Sequence, residues 1–159
     1  MNAKEIYDIL KNEFSDNIIS LTDDGTASEP FIVITPDNLL DIMLFLRDDE
    51  RTNFDYLSCL SGVDNKETLG VVYNLFSMNK KHRITIKVEV PKDKPEVHTV
   101  ERVWRSADWH EREAYDMYGI VFKEHHDLRR ILNPYDWEGH PLRKDYKQPD
   151  EYHGIKVQY

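Results

Sequence analysis

The sequence predicts an α+β fold, with an antiparallel-dominated sheet of four to five strands, helices packed on one face and an extended irregular carboxy-terminal arm. Three observations support it. Strand-like runs separated by short polar turns fill residues 54–90, apolar residues recur at helical spacing on both sides of them, and proline-rich sequence without either period follows residue 132. We therefore expect an α+β domain at residues 1–132 and a docking arm at residues 133–159.

The amino-terminal third predicts two helices and two short strands. Apolar residues at helical spacing indicate the first helix, namely Ile6, Ile9, Leu10 and Phe14. The strands NIISL and FIVI follow it. Thr35 is suited to cap a second helix and Pro36 to its first position, because proline lacks an N–H that the helix start would leave unpaired. That helix is expected to run to Arg47.

Three strands should form an antiparallel meander after the second helix. Their sequences are FDYLSCLSGV, TLGVVYNLFSM and HRITIKVEV, and the turns between them are short and polar. In the third strand apolar and polar residues alternate from Ile84 to Val90, so one face of the sheet is expected to be packed and the other wet. Helices must cover the packed face.

The next segment predicts an apolar helical stripe and then a short charged helix. Val97, Val100, Val103 and Trp104 form the stripe. A helix from Trp109 to Tyr118 should follow, with Asp108 as its cap, Glu111 completing a capping box and Gly119 ending it in a left-handed conformation. On this helix Asp108 and Asp116 lie four residues on either side of Arg112, so both can grip its guanidinium.

Composition excludes several classes of function. At 159 residues the chain is large enough for one domain with a buried core. Cys59 is its only cysteine, so an intramolecular disulfide and the thiolate sets of structural zinc and iron–sulfur clusters are excluded. Because Cys59 lies within a predicted buried strand, it is expected to be a small core residue rather than a nucleophile.

The net charge of −9 belongs to the first fifty residues, which hold 12 acidic and 3 basic side chains. The remainder is balanced and lacks a clustered basic stripe, so neither nucleic acid nor an anionic membrane is expected as a direct ligand. No apolar run is long enough to span a bilayer, and the charged amino terminus lacks the apolar core of a secretory signal. We expect an intracellular protein.

Catalysis by this chain alone is poorly supported. No glycine-rich phosphate loop or serine elbow occurs. A metal-dependent hydrolase is a remote alternative, with the ligand fragments His110, Glu113, His125 and Asp127. Its spacing is unfavourable, because two ligands on one helix face need i and i+4 placement whereas His110 and Glu113 are three apart. We therefore expect no catalytic, cofactor-binding or metal-binding residues here.

The predicted arm combines prolines with anchoring aromatic residues. Its prolines at 134, 141 and 149 interrupt regular structure, yet it is too aromatic for a disordered tail. Tyr135, Trp137, Tyr146 and Arg143 are residue types that dominate protein interfaces. Two interpretations remain open: the arm wraps this domain's own surface, or it binds a partner protein.

Three segments of the chain together resemble a known family. DWHEREAYDMYGI at residues 108–120, HHDLRRIL at 125–132 and DWEGHPLRKDY at 136–146 resemble the signature of the 30 kDa subunit of respiratory complex I, also called its C subunit. FDYLSCLSGVD at residues 54–64 is similar to a sheet strand of that family. The match covers about two thirds of the chain, in order, and is therefore more specific than one short motif.

The resemblance implies a cofactor-free structural and docking subunit of the hydrophilic peripheral arm of NADH–quinone oxidoreductase. Its partners would be the 49 kDa-type quinone-site subunit and neighbouring iron–sulfur subunits, and FMN and the clusters would reside in partner subunits. The complex would transfer electrons from NADH to quinone, coupled to proton translocation, at the cytoplasmic face of the cell membrane. The chain would associate with the membrane only through the complex.

The resemblance also implies docking residues in the two signature regions. These candidates are Glu111, Arg112, Glu113, Asp116, Trp137, His140, Pro141, Leu142, Arg143, Lys144, Asp145 and Tyr146. Membrane-bound hydrogenases and other donor-driven dehydrogenases use similar subunits, and the sequence leaves that alternative open.

Overall fold

A computed structural model describes residues 1–25 and 29–157 of the chain. Its helices are α1 (Ala3–Phe14), α2 (Leu39–Asp48) and α3 (Ala107–Tyr118), with a single 3₁₀ turn at Ser15–Asn17. Its strands are β1 (Ile18–Thr22), β2 (Phe31–Ile34), β3 (Tyr56–Asp64), β4 (Thr68–Phe76), β5 (Arg83–Pro91), β6 (Glu96–His98), β7 (Val121–Lys123), β8 (Glu151–Tyr152) and β9 (Ile155–Lys156). Gln158 and Tyr159, the end of the predicted arm, lie outside the described residues.

The main sheet has five strands in the order β1-β2-β5-β4-β3. Only the β2–β5 pair is parallel, and the other neighbours are antiparallel, so the predicted α+β fold with an antiparallel-dominated sheet is confirmed. Strands β6 and β7, which precede and follow α3 in the sequence, form a small parallel pair, and β8 and β9 form a hairpin in the arm. Across the described ranges, no helix is both long enough and apolar enough to cross a membrane.

Alternation along the central strands creates the core. Strand β4 buries Leu69, Val71, Tyr73 and Leu75, and β5 buries Ile84, Ile86, Val88 and Val90. The apolar faces of α1 and α2 join the same cluster through Ile6, Leu10, Leu39, Ile42, Met43 and Leu46. Each such aliphatic side chain contributes about 1.5–3 kcal/mol when fully buried, so this layer supplies most of the favourable free energy of folding.

The helix starts differ from those predicted. Helix α2 begins at Leu39 rather than at Pro36, and no side chain caps it. Thr35 instead fastens β2 to the turn after α1: its amide donates to the Asn17 carbonyl at 2.9 Å and its hydroxyl to Asn17 Oδ1 at 3.1 Å. Helix α1 has a full capping box, formed by Asn2 and Glu5. Thr35 therefore does not cap α2, because a residue distant in sequence accepts its hydroxyl proton.

The predicted helical stripe from Val97 to Trp104 is wrong, although its residues are buried. Val97 lies in β6, which pairs with β7, and Val100, Val103 and Trp104 follow in a turn. The Trp104 indole N–H donates to the Phe54 carbonyl at 3.0 Å. Because β6 pairs with β7, which follows α3 in the sequence, Val97 is extended rather than helical, although the local spacing of apolar residues predicts a helix.

Cys59 is half-buried rather than a core residue, which corrects the sequence-based expectation. Its thiol lies 3.4 Å from the Ser61 hydroxyl. The register of β3 against β4 shifts between Leu57 and Cys59, and Leu57 and Leu60 are both buried although they are three residues apart. A bulge of this kind switches which residues face the core, so strict alternation fails at Cys59.

Candidate functional site

Helix α3 is fastened to the preceding segment by a buried carboxyl. Glu111 is completely buried; its Oε1 accepts the Val100 N–H at 2.7 Å and its Oε2 accepts the Thr99 hydroxyl at 2.5 Å. The predicted capping box is therefore wrong, since Asp108 lies within the helix and the cap position is Ser106, which makes no capping hydrogen bond. Glu111 acts between elements rather than at its own helix start.

The surroundings of Glu111 keep it protonated. Burial raises the pKa of Glu111 to about 8, because an ionised carboxylate loses its hydration there, and the nearby carboxylates of Glu101 and Asp108 raise it further. The hydrogen bonds from Thr99 and Val100 oppose this rise without overcoming it. At neutral pH the group is mostly the uncharged acid.

His125 lies beside this carboxyl with its side chain fully buried. Its Nδ1 accepts the Asp127 N–H at 3.1 Å, so the ring proton is assigned to Nε2. Nε2 then faces the Asp108 carbonyl at 3.2 Å and Asp108 Oδ1 at 3.3 Å, with a Glu101 carboxylate oxygen at 3.7 Å and a Glu111 carboxyl oxygen at 3.8 Å. His125 thus donates one proton into a group of three acidic side chains.

The same group of side chains offers potential metal ligands. Among the described residues, the ligand atoms of Glu101, Asp108, His125 and His126 lie within 4.8 Å of one another. Of the fragments that the sequence suggested, which were His110, Glu113, His125 and Asp127, only His125 belongs to that group. A neutral imidazole would have to free Nε2 of its proton to bind a metal, while Nδ1 already accepts an N–H. The arrangement therefore fits a hydrogen-bonded network better than a metal centre.

Asp116 fixes the entry to the arm. It is completely buried and accepts hydrogen bonds from Arg130 Nη1 (2.7 Å), from the backbone N–H groups of Ile131 (3.0 Å), Leu132 (2.8 Å) and Asn133 (2.8 Å), and from Asn133 Nδ2 (2.9 Å). Burial alone would raise the pKa of Asp116, but hydrogen bonds from Asn133 and Arg130 outweigh it and lower the pKa to about 2. The carboxylate is charged and fully bonded.

Asp64, at the end of β3, holds the arm at a second point. Its Oδ2 accepts the Lys144 N–H at 2.8 Å and lies 3.1 Å from Lys92 Nζ, while Oδ1 accepts the Lys66 N–H at 2.7 Å. Burial opposes ionisation, yet the N–H donors of Lys144 and Lys66 and the Lys92 ammonium lower the pKa of Asp64 to about 2. No local pattern signals this contact, because 80 residues separate Asp64 from Lys144.

The carboxy-terminal end of α3 supplies a third set of contacts. Its last carbonyls lack partners within the helix and carry the negative end of the helix dipole. The arm donates hydrogen bonds to these carbonyls. His140 Nδ1 donates to the Asp116 carbonyl (3.0 Å), the Leu142 N–H to the Met117 carbonyl (3.1 Å) and Arg143 Nε to the Tyr118 carbonyl (2.6 Å). The segment from residue 130 to 146 is therefore seated on α3 and β3.

Gly119 is the left-handed cap that the sequence predicts, with a φ of 72°. A Cβ at this position would overlap His140 Nε2 and lie 2.7 Å from Arg143 Nη2. We expect Gly119→Ala to lower the free energy of unfolding by about 2–4 kcal/mol in urea titrations, since the left-handed backbone and the overlap with the arm both add cost.

Gly25→Ala is the matched control for this prediction. Gly25 has a φ of 78° and a Cβ there would meet no atom of the described residues within 4 Å, so alanine is expected to add only the cost of the left-handed backbone, about 1–2 kcal/mol. If the two variants lost the same stability, the close seating of the arm at Gly119 would be contradicted.

Arg112 and Glu113 differ from each other in their surroundings. Arg112 is mostly buried, its guanidinium lies 5.3 Å from the Trp109 ring centre and its Nε lies 3.4 Å from the Arg129 carbonyl. The predicted grip by Asp108 and Asp116 is wrong, because Asp116 binds the arm instead. Glu113 is exposed on α3.

The remaining docking candidates lie along the seated segment. Trp137 Nε1 donates to the Tyr146 hydroxyl at 3.0 Å, and both rings are half-buried. His140, Pro141 and Arg143 are half-buried, whereas the side chains of Leu142, Lys144 and Asp145 are exposed. Leu132, Tyr135 and Leu142 are exposed apolar side chains of this segment, and Ile155 in β9 and Trp109 on α3 are exposed as well.

Comparison with known proteins gives one consistent family. Residues 32–152 match the family model described as "Respiratory-chain NADH dehydrogenase, 30 Kd subunit". The chain is 51% identical over 156 residues to the C subunit of NADH-quinone oxidoreductase from Chloroherpeton thalassium, covering 96% of this chain and 64% of that one. It is 49% identical over 161 residues to the protein of the same name from Chlorobium phaeobacteroides, covering 99% and 96%. The chain thus spans somewhat less than two thirds of the Chloroherpeton relative.

Two solved structures share the fold. A trypsin-resistant fragment (1–134) of Nqo5 superposes with a TM-score of 0.68 at 26% identity, covering 80% of this chain and all of that one. A chain of the membrane-bound sulfane sulfur reductase, an archaeal respiratory membrane complex, gives a TM-score of 0.70 at 23% identity, covering 91% and 85%. The second likeness concerns the fold alone.

Proposed function

This chain belongs to the 30 kDa subunit family of respiratory-chain NADH dehydrogenase, and from that premise we propose that it is a docking subunit of an NADH–quinone oxidoreductase. It takes part in the transfer of electrons from NADH to quinone by joining other subunits in the peripheral arm of the complex, and it performs no chemical step. Its side chains hold and orient neighbouring proteins.

The residue content supports a subunit without a cofactor of its own. One half-buried cysteine cannot ligate an iron–sulfur cluster, and the His125 group is arranged for hydrogen bonding. FMN and the clusters of the proposed complex then belong to partner subunits. The partners we propose are the 49 kDa-type quinone-site subunit and the neighbouring iron–sulfur subunits, at the cytoplasmic face of the membrane.

The main support for the proposal is that the backbone of the arm is fixed by contacts with the domain while apolar side chains of the arm remain exposed to solvent. Asp64 and Asp116 order the backbone of residues 130–146, so the entropy of ordering is lost on folding rather than on binding. Leu142 is nevertheless 52% exposed and Tyr135 92% exposed. An ordered segment that presents such side chains is suited to bury them against a second protein.

The docking candidates then divide into two roles. Glu113, Leu142, Lys144 and Asp145 present exposed side chains that can contact a partner directly, and the half-buried Trp137 lies in the same arm. The buried members position the surface: they are Glu111, Arg112 and Asp116, with the half-buried His140, Pro141, Arg143 and Tyr146.

A Leu142→Asp variant tests the docking role. Burying an unpaired carboxylate in an interface is unfavourable by several kcal/mol, so we expect copurification of partner subunits from membranes to fall at least about tenfold. The measurement is affinity purification of the tagged full chain followed by mass spectrometry of the subunits that accompany it. Because the Leu142 side chain is exposed, the thermal unfolding of the isolated variant should match that of the wild type.

Met78→Asp is the matched control, since Met78 is 47% exposed and lies in the turn after β4, outside the arm. It should leave copurification unchanged. Retention of all subunits by the Leu142→Asp chain would contradict the proposed function. The identities of the subunits recovered with the wild type also separate an NADH–quinone oxidoreductase from a hydrogenase-type complex.

A further inference from the structure

The arm contains a pocket that the docking proposal does not explain. It has a volume of about 270 Å³, which is below the roughly 300–1,000 Å³ of most small-molecule sites and suits a single side chain. The lining residues are Asp136, Trp137, Glu138, Pro149, Glu151, Tyr152 and His153. Aromatic rings and carboxylates therefore share one small cavity.

The pocket is preformed by bonds between its two walls. The Tyr152 hydroxyl donates to Asp136 Oδ1 at 2.8 Å, and His153 Nε2 lies 2.8 Å from Asp136 Oδ2. The Trp137 and Tyr152 ring centres are 5.1 Å apart and the rings are tilted by 47°. His153 and Gly154 both have positive φ, as a tight two-residue hairpin turn between β8 and β9 requires.

The permanently charged side chains that line the pocket are all acidic. Its lining contributes three carboxylates and no lysine or arginine. Asp136 is occupied by Tyr152 and His153, but within the described residues Glu138 and Glu151 form no ion pair with this chain. Lys156 lies opposite Glu151 across the β8–β9 hairpin but, in this described part of the chain, makes no ion pair with it, so two unpaired carboxylates beside half-buried aromatic rings are complementary to a cation.

We propose that this pocket receives an arginine side chain of a partner protein. This inference rests on the proposed docking function and names the chemistry of one contact within it. A guanidinium stacks on Trp137 or Tyr152 through its face and reaches Glu138 and Glu151 through its N–H groups. Arginine suits the site better than lysine, because its planar fork can stack and bond carboxylates at the same time.

The first test is a titration of the full chain with N-acetyl-argininamide, observed through the indole N–H resonance of Trp137. Saturable shifts with a dissociation constant in the range of about 1–10 mM are expected for one stacked and ion-paired group. N-acetyl-citrullinamide has nearly the same shape without the charge and should leave the resonance unmoved. Equal shifts from the two compounds, or none from argininamide, would overturn the inference.

Neutralising the two unpaired carboxylates of the pocket, Glu138 and Glu151, gives a second readout of the same binding. Glu138→Gln combined with Glu151→Gln should weaken argininamide binding at least about fivefold, since both ion pairs are lost while the rings remain. Both side chains are exposed, so the fold should be retained. An unchanged affinity in the double variant would also overturn the inference.

Charge reversal connects the pocket to assembly and separates the two proposals. Glu138→Lys with Glu151→Lys should lower subunit copurification at least about tenfold, whereas Glu50→Lys with Glu67→Lys, exposed carboxylates outside the arm, should not. If the arm double variant assembled normally while Leu142→Asp did not, the arginine pocket would be refuted and the docking function would stand. If Leu142→Asp assembled normally, the docking function itself would fail.

Discussion

The Asp116→Ala variant is expected to lose about 3–5 kcal/mol of unfolding free energy, because a buried, ion-paired carboxylate is removed and its several part-buried donors lose their acceptor. Arg130 would lose its carboxylate partner and keep only backbone carbonyl acceptors, and the N–H groups of Ile131, Leu132 and Asn133 would lose their common acceptor. Urea-induced unfolding followed by circular dichroism measures the loss.

Asp8→Ala is the control for this substitution, since Asp8 is an exposed aspartate in the middle of α1. Its effect should stay within about 0.5 kcal/mol. Asp116→Asn separates charge from shape: it keeps one acceptor but not the charge, and we expect a loss between those of the other two variants. An Asp116→Ala loss no greater than that of Asp8→Ala would show that the arm is not anchored here.

The same anchor gives the protein a defined acid sensitivity. The pKa of Asp116 is lowered from 3.8 to about 2 in the fold, so its stabilisation is present above about pH 4 and is lost as the pH falls through 2. The shift corresponds to about 2 kcal/mol. Asp64 has a pKa lowered to about 2 as well, so both carboxylate attachments of the arm weaken over one pH range. Wild-type stability should therefore fall more steeply between about pH 4 and pH 2 than that of Asp116→Ala.

Local sequence predicted the parts of the fold that depend on local periodicity. The alternation from Ile84 to Val90 identified the core face of β5, and Gly119 identified the end of α3, because each pattern is determined by neighbouring residues. The short turns that connect β3, β4 and β5 could likewise be predicted from the local sequence. These features follow from backbone geometry and need no knowledge of distant contacts.

Features that depend on distant residues were not predictable in this way. The β6–β7 pair joins strands on either side of α3, and the bulge at Cys59 depends on the register of β3 against β4. Neither feature produces a periodic pattern of apolar residues in the local sequence. Local patterning predicted a helical stripe and a buried cysteine at these two places, and tertiary pairing decided otherwise.

The family resemblance identified the docking candidates, but the partners of their side chains could not be predicted from the sequence. Asp116 was expected to grip Arg112, four residues away, and instead binds Arg130 and Asn133. Glu111 fitted a capping box by spacing, yet its carboxyl accepts hydrogen bonds from the segment before the helix, beginning with the Thr99 hydroxyl. Spacing along a helix shows which residues of that helix can contact each other. Tertiary packing decides whether a side chain instead contacts a residue that is distant in sequence.

Glu111→Gln should make the protein progressively more stable than the wild type as the pH rises. In the wild type the folded-state pKa is raised from 4.5 to about 8, so the stabilisation from Glu111 is complete below about pH 4.5 and is lost as the pH rises through 8. Glutamine does not titrate and escapes that loss. The difference in unfolding free energy between the two proteins should change by an amount on the order of 4 kcal/mol between about pH 5 and pH 9.

Glutamine can replace the hydrogen bonds of the protonated acid, which makes this substitution a test of charge rather than of packing. Its amide oxygen can accept the Val100 N–H, and its amide nitrogen can donate to the Thr99 hydroxyl oxygen once that hydroxyl, which donates to Glu111 Oε2 in the wild type, turns to accept. Glu113→Gln changes an exposed neighbour on the same helix, and its difference from the wild type should be flat across the same range. A flat profile for Glu111→Gln as well would mean that Glu111 ionises normally in the folded protein. In that case an ionised carboxylate, not the uncharged acid, would join α3 to the segment at Thr99.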